Sequence, residues 1–227
     1  MVVNKIREPQ SIFLILATIF IGISAFLMPI NRVPDEMSHA RMAWSSIFAK
    51  NDSSFDWMNS VSKDTEINKV EYKKIFTEKI DLSHEKFQPS FEIKRIRHIP
   101  QLIGMVLGSI FYPSIGVMVT LGRLFNALFY IGSMFYIIKK TCYGKWSMVL
   151  LSLLPIMVQQ AGSLSYDVAN FIVILGFFAF LSILIEKPKI DLNRIFQIVL
   201  FAVAFYITKV NNFLFLLLLL PIRFNFT

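Results

Sequence analysis

Two carboxylates and an imidazole crowd one short stretch, where Pro34, Asp35, Glu36, Ser38, His39 and Arg41 directly follow a hydrophobic run. On a helix Asp35 and His39, four residues apart, share a face, with Glu36 beside them. Such a set offers a catalytic carboxylate or, with His39, ligands for a divalent cation. Proline followed by two acids also starts a helix well, so the competing reading is a capped helix whose acids suit the dipole. Behind them Met37, Ala40, Trp44, Ile47 and Phe48 recur at helical spacing. That pattern lets the helix lie on a membrane surface with its aromatic face down.

Three further places carry polar chemistry inside apolar surroundings. Arg123 stands about 12 Å along a hydrophobic run from its start, where a charge is expensive unless paired or hydrated. It either snorkels to the interface or forms an anion site facing the bundle interior. Gln159, Gln160, Ser163, Ser165, Tyr166 and Asp167 make a turn between two runs, with Asp167 placed to cap the second. Lys209, with Asn211 and Asn212, interrupts the last run; half-helix ends with a lysine attract anions, and a lone lysine also marks a loop between ordinary helices.

The elements that must position these residues are membrane helices. The chain of 227 residues is 55% hydrophobic and only 17% charged, against about 25% charged in soluble domains. The apolar residues are gathered into runs long enough for a hydrocarbon layer of about 30 Å, separated by short basic connections. Residues 11–30 form span one, a retained anchor, since 20 uncharged residues exceed a signal-peptide core of about 7–15. Residues 31–98 form an external loop, polar between Asn51 and Phe91, with short amphipathic helices expected. Residues 99–112 make a helix of about 21 Å, too short to span, which dips into the membrane from outside. Spans follow at 115–138, 146–162 and 168–185, and residues 195–222 form a broken helix pair. The fold class is thus an all-α polytopic membrane protein with about five to six membrane segments.

The net charge of +8 does not point to nucleic acid. The 31–98 segment holds 12 of the 23 basic and 11 of the 15 acidic residues, so the surplus lies at helix ends. Lys5, Arg7, Lys139, Lys140, Lys145, Lys187, Lys189 and Arg194 flank the spans, and the positive-inside rule then sets a cytoplasmic amino terminus in a multi-pass cell-membrane protein. The single cysteine, Cys142, allows no intramolecular disulfide and no zinc pattern.

With these residues in view, the chain resembles the bacterial predicted membrane proteins of the domain of unknown function 2142 family. The matching stretches are Val33 to Trp44 (VPDEMSHARMAW), His98 to Ser109 (HIPQLIGMVLGS), Leu121 to Asn126 (LGRLFN) and Leu153 to Ala169 (LLPIMVQQAGSLSYDVA). That family is similar to the C-type glycosyltransferases, multispan enzymes that take a sugar from a polyprenyl-phosphate donor at the external membrane face and place an acid in the first external loop. By this resemblance Asp35 or Glu36 is the general base that deprotonates an acceptor hydroxyl, or, with His39, a ligand of a divalent cation. Arg123 and Lys209 bind the departing lipid phosphate, Asp167 orients the acceptor or shares the metal, and His39, Arg41, Gln160 and Tyr166 line the substrate site. The resemblance also implies several more spans, so the chain reads as a truncated copy, a split gene product or a sequence fragment.

Two functions follow. One is a membrane glycosyltransferase, or its amino-terminal half, acting on a cell-envelope polysaccharide with a polyprenyl-phosphate-linked sugar and membrane lipid as partners. The other is a non-catalytic subunit or scaffold of the same assembly. Only the first needs Asp35 or Glu36 to be chemically indispensable. A transporter fits less well, because no internal repeat with charged or glycine-broken midplane helices is visible.

Overall fold

The computed structural model describes residues 7–48, 68–90, 92–222 and 225–226; Lys5, and residues 51–67 and 91 of the polar stretch, lie outside them. In chain order the elements are α1 (Pro9–Leu27), α2 (Glu36–Trp44), α3 (Lys69–Thr77), a first 3₁₀ helix (Ile93–His98), α4 (Ile99–Phe111), α5 (Ile115–Lys140), α6 (Lys145–Ser152), α7 (Pro155–Ala161), α8 (Asp167–Glu186), β1 (Lys189–Ile190), α9 (Leu192–Thr208), a second 3₁₀ helix (Val210–Leu219) and β2 (Asn225–Phe226). The two strands pair in parallel. The protein is an all-α membrane protein: α1, α5 and α8 are each long and apolar enough to cross a bilayer, and α9 and the second 3₁₀ helix are shorter apolar segments. Large side chains such as Phe26, at 63% exposure, and Phe196, at 64%, stand outward, a surface that hydrocarbon covers and water does not.

The chain divides into two compact units, one of residues 18–129 with 158–166, the other of residues 1–17, 130–157 and 167–227. In the first, Ala40, Ala43 and Trp44 of α2 pack with Ile75, Leu102, Met105, Met118, Val119 and Leu164. The apolar face of α2 therefore does not lie on the membrane surface as its spacing suggests. Trp44 is fully buried and stacks on Phe48, ring centroids 4.4 Å apart, because α3, α4 and α5 supply a protein core for the same stripe. Close approach of α4 to α5 depends on Gly104 and Gly108: a Cβ on Gly104 would stand 2.2 Å from the Leu121 carbonyl oxygen, and one on Gly108 would stand 2.7 Å from the Met118 Cα. This is the small-residue spacing by which membrane helices bring backbones together.

In the second unit, aromatic side chains of α8 and α9 interleave. Phe177 meets Phe201 and Phe205 at 5.4 and 5.3 Å between centroids, edge to face, the arrangement the ring quadrupoles favour. Tyr130 of α5 donates to the Ser152 carbonyl oxygen at 2.8 Å. The single span expected over 146–162 is instead two short helices, α6 and α7, parted at Leu153 and Leu154. Pro155 is the cause: it has no N–H for the carbonyl four residues back, and its ring crowds that carbonyl. Residue 209 separates α9 from the second 3₁₀ helix, with Lys209 extended at φ −143° and ψ 121°.

Candidate functional site

Where α1 ends, its last carbonyls have no partner within the helix. Arg123 of α5 supplies them. Its Nη1 donates to the Ala25 and Met28 oxygens, at 3.2 and 2.5 Å, and its Nη2 to the Pro29 oxygen at 3.1 Å. The remaining donors meet Glu36 bidentately: Nε reaches Oε1 and Nη2 reaches Oε2, both at 2.6 Å. Asn31, in the left-handed region at φ 67°, adds its backbone N–H to Glu36 Oε2 at 2.8 Å. Glu36 is fully buried and Arg123 is 1% exposed. Two expectations change here. Arg123 does not snorkel, and its guanidinium is engaged through all three nitrogens, so it is no open cradle for a lipid phosphate. Glu36 is committed to a buried ion pair with a fixed fork geometry, which suits a structural clamp and not a proton acceptor.

Asp35 differs from its neighbour. It is exposed, its backbone lies in the left-handed region at φ 59°, and its side chain makes no capping hydrogen bond to α2. A capping hydrogen bond is thus not what holds Asp35 there. Asp tolerates this backbone region better than most residues, yet it remains an uncommon one. The turn aims an unburied carboxylate off the helix start.

One helical turn on, His39 enters an aromatic cluster. Its ring lies 5.0 Å from Tyr166, edge on, and 6.1 Å from His98; His98 in turn is 5.3 Å from Tyr166. The Arg97 guanidinium lies 3.8 Å over the Tyr166 ring, a cation–π geometry. Below them Gln101 and Asn126 are both fully buried. Gln101 Nε2 donates to Asn126 Oδ1 and to the Ser165 oxygen, at 2.9 and 3.0 Å, and Asn126 Nδ2 donates to the Ser163 and Ser165 oxygens at 2.8 and 3.1 Å. This network fixes the 163–166 turn, and with it the Tyr166 ring. Gln160 takes part through its backbone oxygen, which accepts from Ser163 Oγ at 2.9 Å.

Beside the cluster lies a pocket of about 280 Å³ lined by Arg41, Met42 and Ser45 from one side and by Glu92, Lys94, Arg95, Arg97 and His98 from the other. Arg95 is its strut: it donates to the Ser45 backbone oxygen, to Ser45 Oγ at 3.2 Å and to Glu92 at 2.9 Å. His98 is 1% exposed, and neither ring nitrogen has a hydrogen-bond partner among the described residues. Burial, with Arg97, His39 and Arg95 nearby, pushes its pKa down from 6.5 to about 3, so the imidazole is neutral.

In the other unit, Lys209 Nζ pairs with Asp167 Oδ1 at 2.8 Å, and Asn212 Nδ2 donates to Asn170 Oδ1 at 2.5 Å. The lysine expected to await an anion is already matched by the acid expected to cap α8. No three His, Cys, Asp or Glu side chains gather as a metal-holding group among the described residues. With Glu36 engaged by Arg123, the ligand set of Asp35, Glu36 and His39 does not fit a divalent cation.

The family model for predicted membrane proteins known as DUF2142 matches residues 18–224, nearly the whole chain. The chain belongs to the DUF2142 family. No curated protein and no solved structure matches it. The DUF2142 match thus covers every residue of the ion pair, the aromatic cluster and the basic pocket. His98, Arg97, Lys94, Arg95, Gln101 and Asn126 were not among the sequence-based candidates. The signal for the first four was the run Ile93–His98 (IKRIRH), in which four of six residues are basic or histidine; averaging charge over the whole 31–98 segment conceals it.

Proposed function

We propose that this membrane protein is a glycosyltransferase, or the amino-terminal part of one, that transfers a sugar from a polyprenyl-phosphate donor to a cell-envelope polysaccharide at the external membrane face. Asp35 is the general base that takes the proton of the acceptor hydroxyl. The observation that carries this reading is the contrast between the two adjacent acids. Glu36 is locked to Arg123, which anchors the turn, while Asp35 is presented to solvent on a left-handed residue without a capping bond. A general base must reach the proton it removes, and only the exposed acid can. His39 and Tyr166, with rings 5.0 Å apart, offer faces and polar edges against which a sugar packs.

The test is complementation of a deletion strain, read as sugar modification of the envelope polysaccharide together with the amount of protein in the membrane. Asp35→Asn is expected to abolish modification at an unchanged protein level. Normal modification by Asp35→Asn would overturn the catalytic reading and favour the non-catalytic subunit.

A further inference from the structure

The second unit holds a groove of about 630 Å³ that the proposed transfer does not use. It is lined by Leu181 and Ile185 of α8, by Leu218 and Ile222 from the second 3₁₀ helix and just after it, and by Tyr143 and Pro188. Ser182 also lines it, and its Oγ accepts the Cys142 N–H at 3.0 Å, which ties the turn after α5 to α8. Tyr143 and Trp146 are 56% and 52% exposed, and exposed aromatic residues beside an apolar span mark the headgroup level of a bilayer. The groove therefore opens at that level, with its apolar lining in the hydrocarbon. Charge gathers at the same end. Lys187 and Lys189 flank Pro188, and Lys139, Lys140 and Lys145 flank the Tyr143 turn, against the acids Glu186 and Asp191. Glu186 already accepts from Tyr143 Oη, and Asp191 caps α9 through the Arg194 N–H at 2.8 Å. None of the five lysines has an ion-pair partner among the described residues. Lys145 Nζ donates to a backbone oxygen, and Lys140 lies 5.6 Å over the Tyr136 ring. The positive-inside rule accounts for lysines at this end, but not for an apolar groove that opens among them.

We propose that this groove binds one anionic glycerophospholipid of the leaflet at the lysine end, with an acyl chain along Leu181, Ile185, Leu218 and Ile222 and the phosphate at Lys187 and Lys189. Basic sites between membrane helices recognise anionic headgroups in this way, and long lysine side chains reach the interface from helix ends. At about 630 Å³ the groove is well within the range of ligand pockets, about 300 to 1,000 Å³. A zwitterionic lipid suits the apolar lining equally, but its ammonium charge opposes the lysines, so the rim sets the preference. A second copy of the chain seated symmetrically on the groove would bring its own five lysines against these, and like charges repel. None of these residues belongs to the proposed transfer site, so the lipid site stands whether or not Asp35 acts as a base.

The experiment is native mass spectrometry of the full chain released from detergent micelles that carry phosphatidylglycerol, or phosphatidylcholine with the same acyl chains. Wild type is expected to retain one phosphatidylglycerol and to hold it about tenfold more tightly than phosphatidylcholine. Lys187→Gln with Lys189→Gln, both at exposed positions, is expected to remove that preference, a loss of about tenfold, while Lys187→Arg with Lys189→Arg keeps it. Ile185→Trp, at a position 61% exposed, fills the groove from its α8 wall and is expected to lose the bound phospholipid with the lysines intact and melting unchanged. Leu218→Trp, from the wall of the second 3₁₀ helix, is the second variant if the first lowers the yield. Equal retention of the two lipids by wild type, equal retention of phosphatidylglycerol by wild type and the double glutamine variant, or undiminished retention by a folded tryptophan variant overturns the site. A lipid-free mass of two chains that Ile185→Trp reduces to one would give the groove to a second copy and overturns it as well.

Discussion

Adjacent residues of like chemistry have opposite fates in this protein, and the difference is burial. Asp35 and Glu36 are both carboxylates at the start of α2, but the fork of Arg123 takes both oxygens of Glu36 while Asp35 stays at the surface. Removing one partner of a buried ion pair strands the other charge and costs about 3–5 kcal/mol. Glu36→Gln is therefore expected to lower the amount of folded protein sharply and to lower its melting temperature in detergent, whereas Asp35→Asn leaves both unchanged. Replacing both partners, Glu36→Gln with Arg123→Met, is expected to recover part of the loss, because no unpaired charge then remains in the interior. A double variant no more stable than Glu36→Gln alone would show that the arginine's bonds to the Ala25, Met28 and Pro29 carbonyls, not the ion pair, hold this junction.

At the level of elements, the long helices were legible because each is a run of apolar residues closed by charge, and α1, α5 and α8 lie within two or three residues of the expected ends. So were two shorter features, the helix over 99–111 and the break at Lys209; others were not. Pro155 splits one expected span, and sequence hydropathy does not register a missing N–H. The apolar stripe of α2 shows only that something covers it; whether lipid or protein does so depends on α3, α4 and α5, which are far away in sequence. The site was legible only in part for the same reason: Asp35, His39 and Tyr166 stand out locally, but the pairing of Arg123 with Glu36 spans 87 positions. Gly104 illustrates a contact that no local pattern reveals. Gly104→Ala is expected to destabilise by about 1–3 kcal/mol, since its Cβ would meet backbone that cannot rotate away. Gly132→Ala on α5, where nothing lies within 4 Å, is the matched control and is expected to be neutral or slightly stabilising. Equal melting temperatures for the two variants would mean that α4 can shift away from α5 without loss.

For the molecule as a whole, the open quantity is orientation, and the chain carries its own probe. Cys142 is the only cysteine in the sequence and it is exposed. It sits two residues after the last residue of α5, Lys140, and three residues before Lys145, whose Nζ donates to the Lys139 oxygen at 3.2 Å. Its backbone N–H donates to Ser182 Oγ at 3.0 Å, so the turn is held against α8 and the thiol reports a defined place. The positive-inside rule puts such a lysine cluster in the cytoplasm. The basic pocket and Asp35 belong to the segment after α1, which the same rule puts outside. In intact cells a membrane-impermeant maleimide is expected to leave Cys142 unlabelled and to label it once the cells are permeabilised. Ser83→Cys in a Cys142→Ser background, at an exposed position between α3 and the first 3₁₀ helix, is expected to react in intact cells. The reverse pattern would put Asp35 and the basic pocket on the cytoplasmic face, and the proposed transfer at the external face would fall with it.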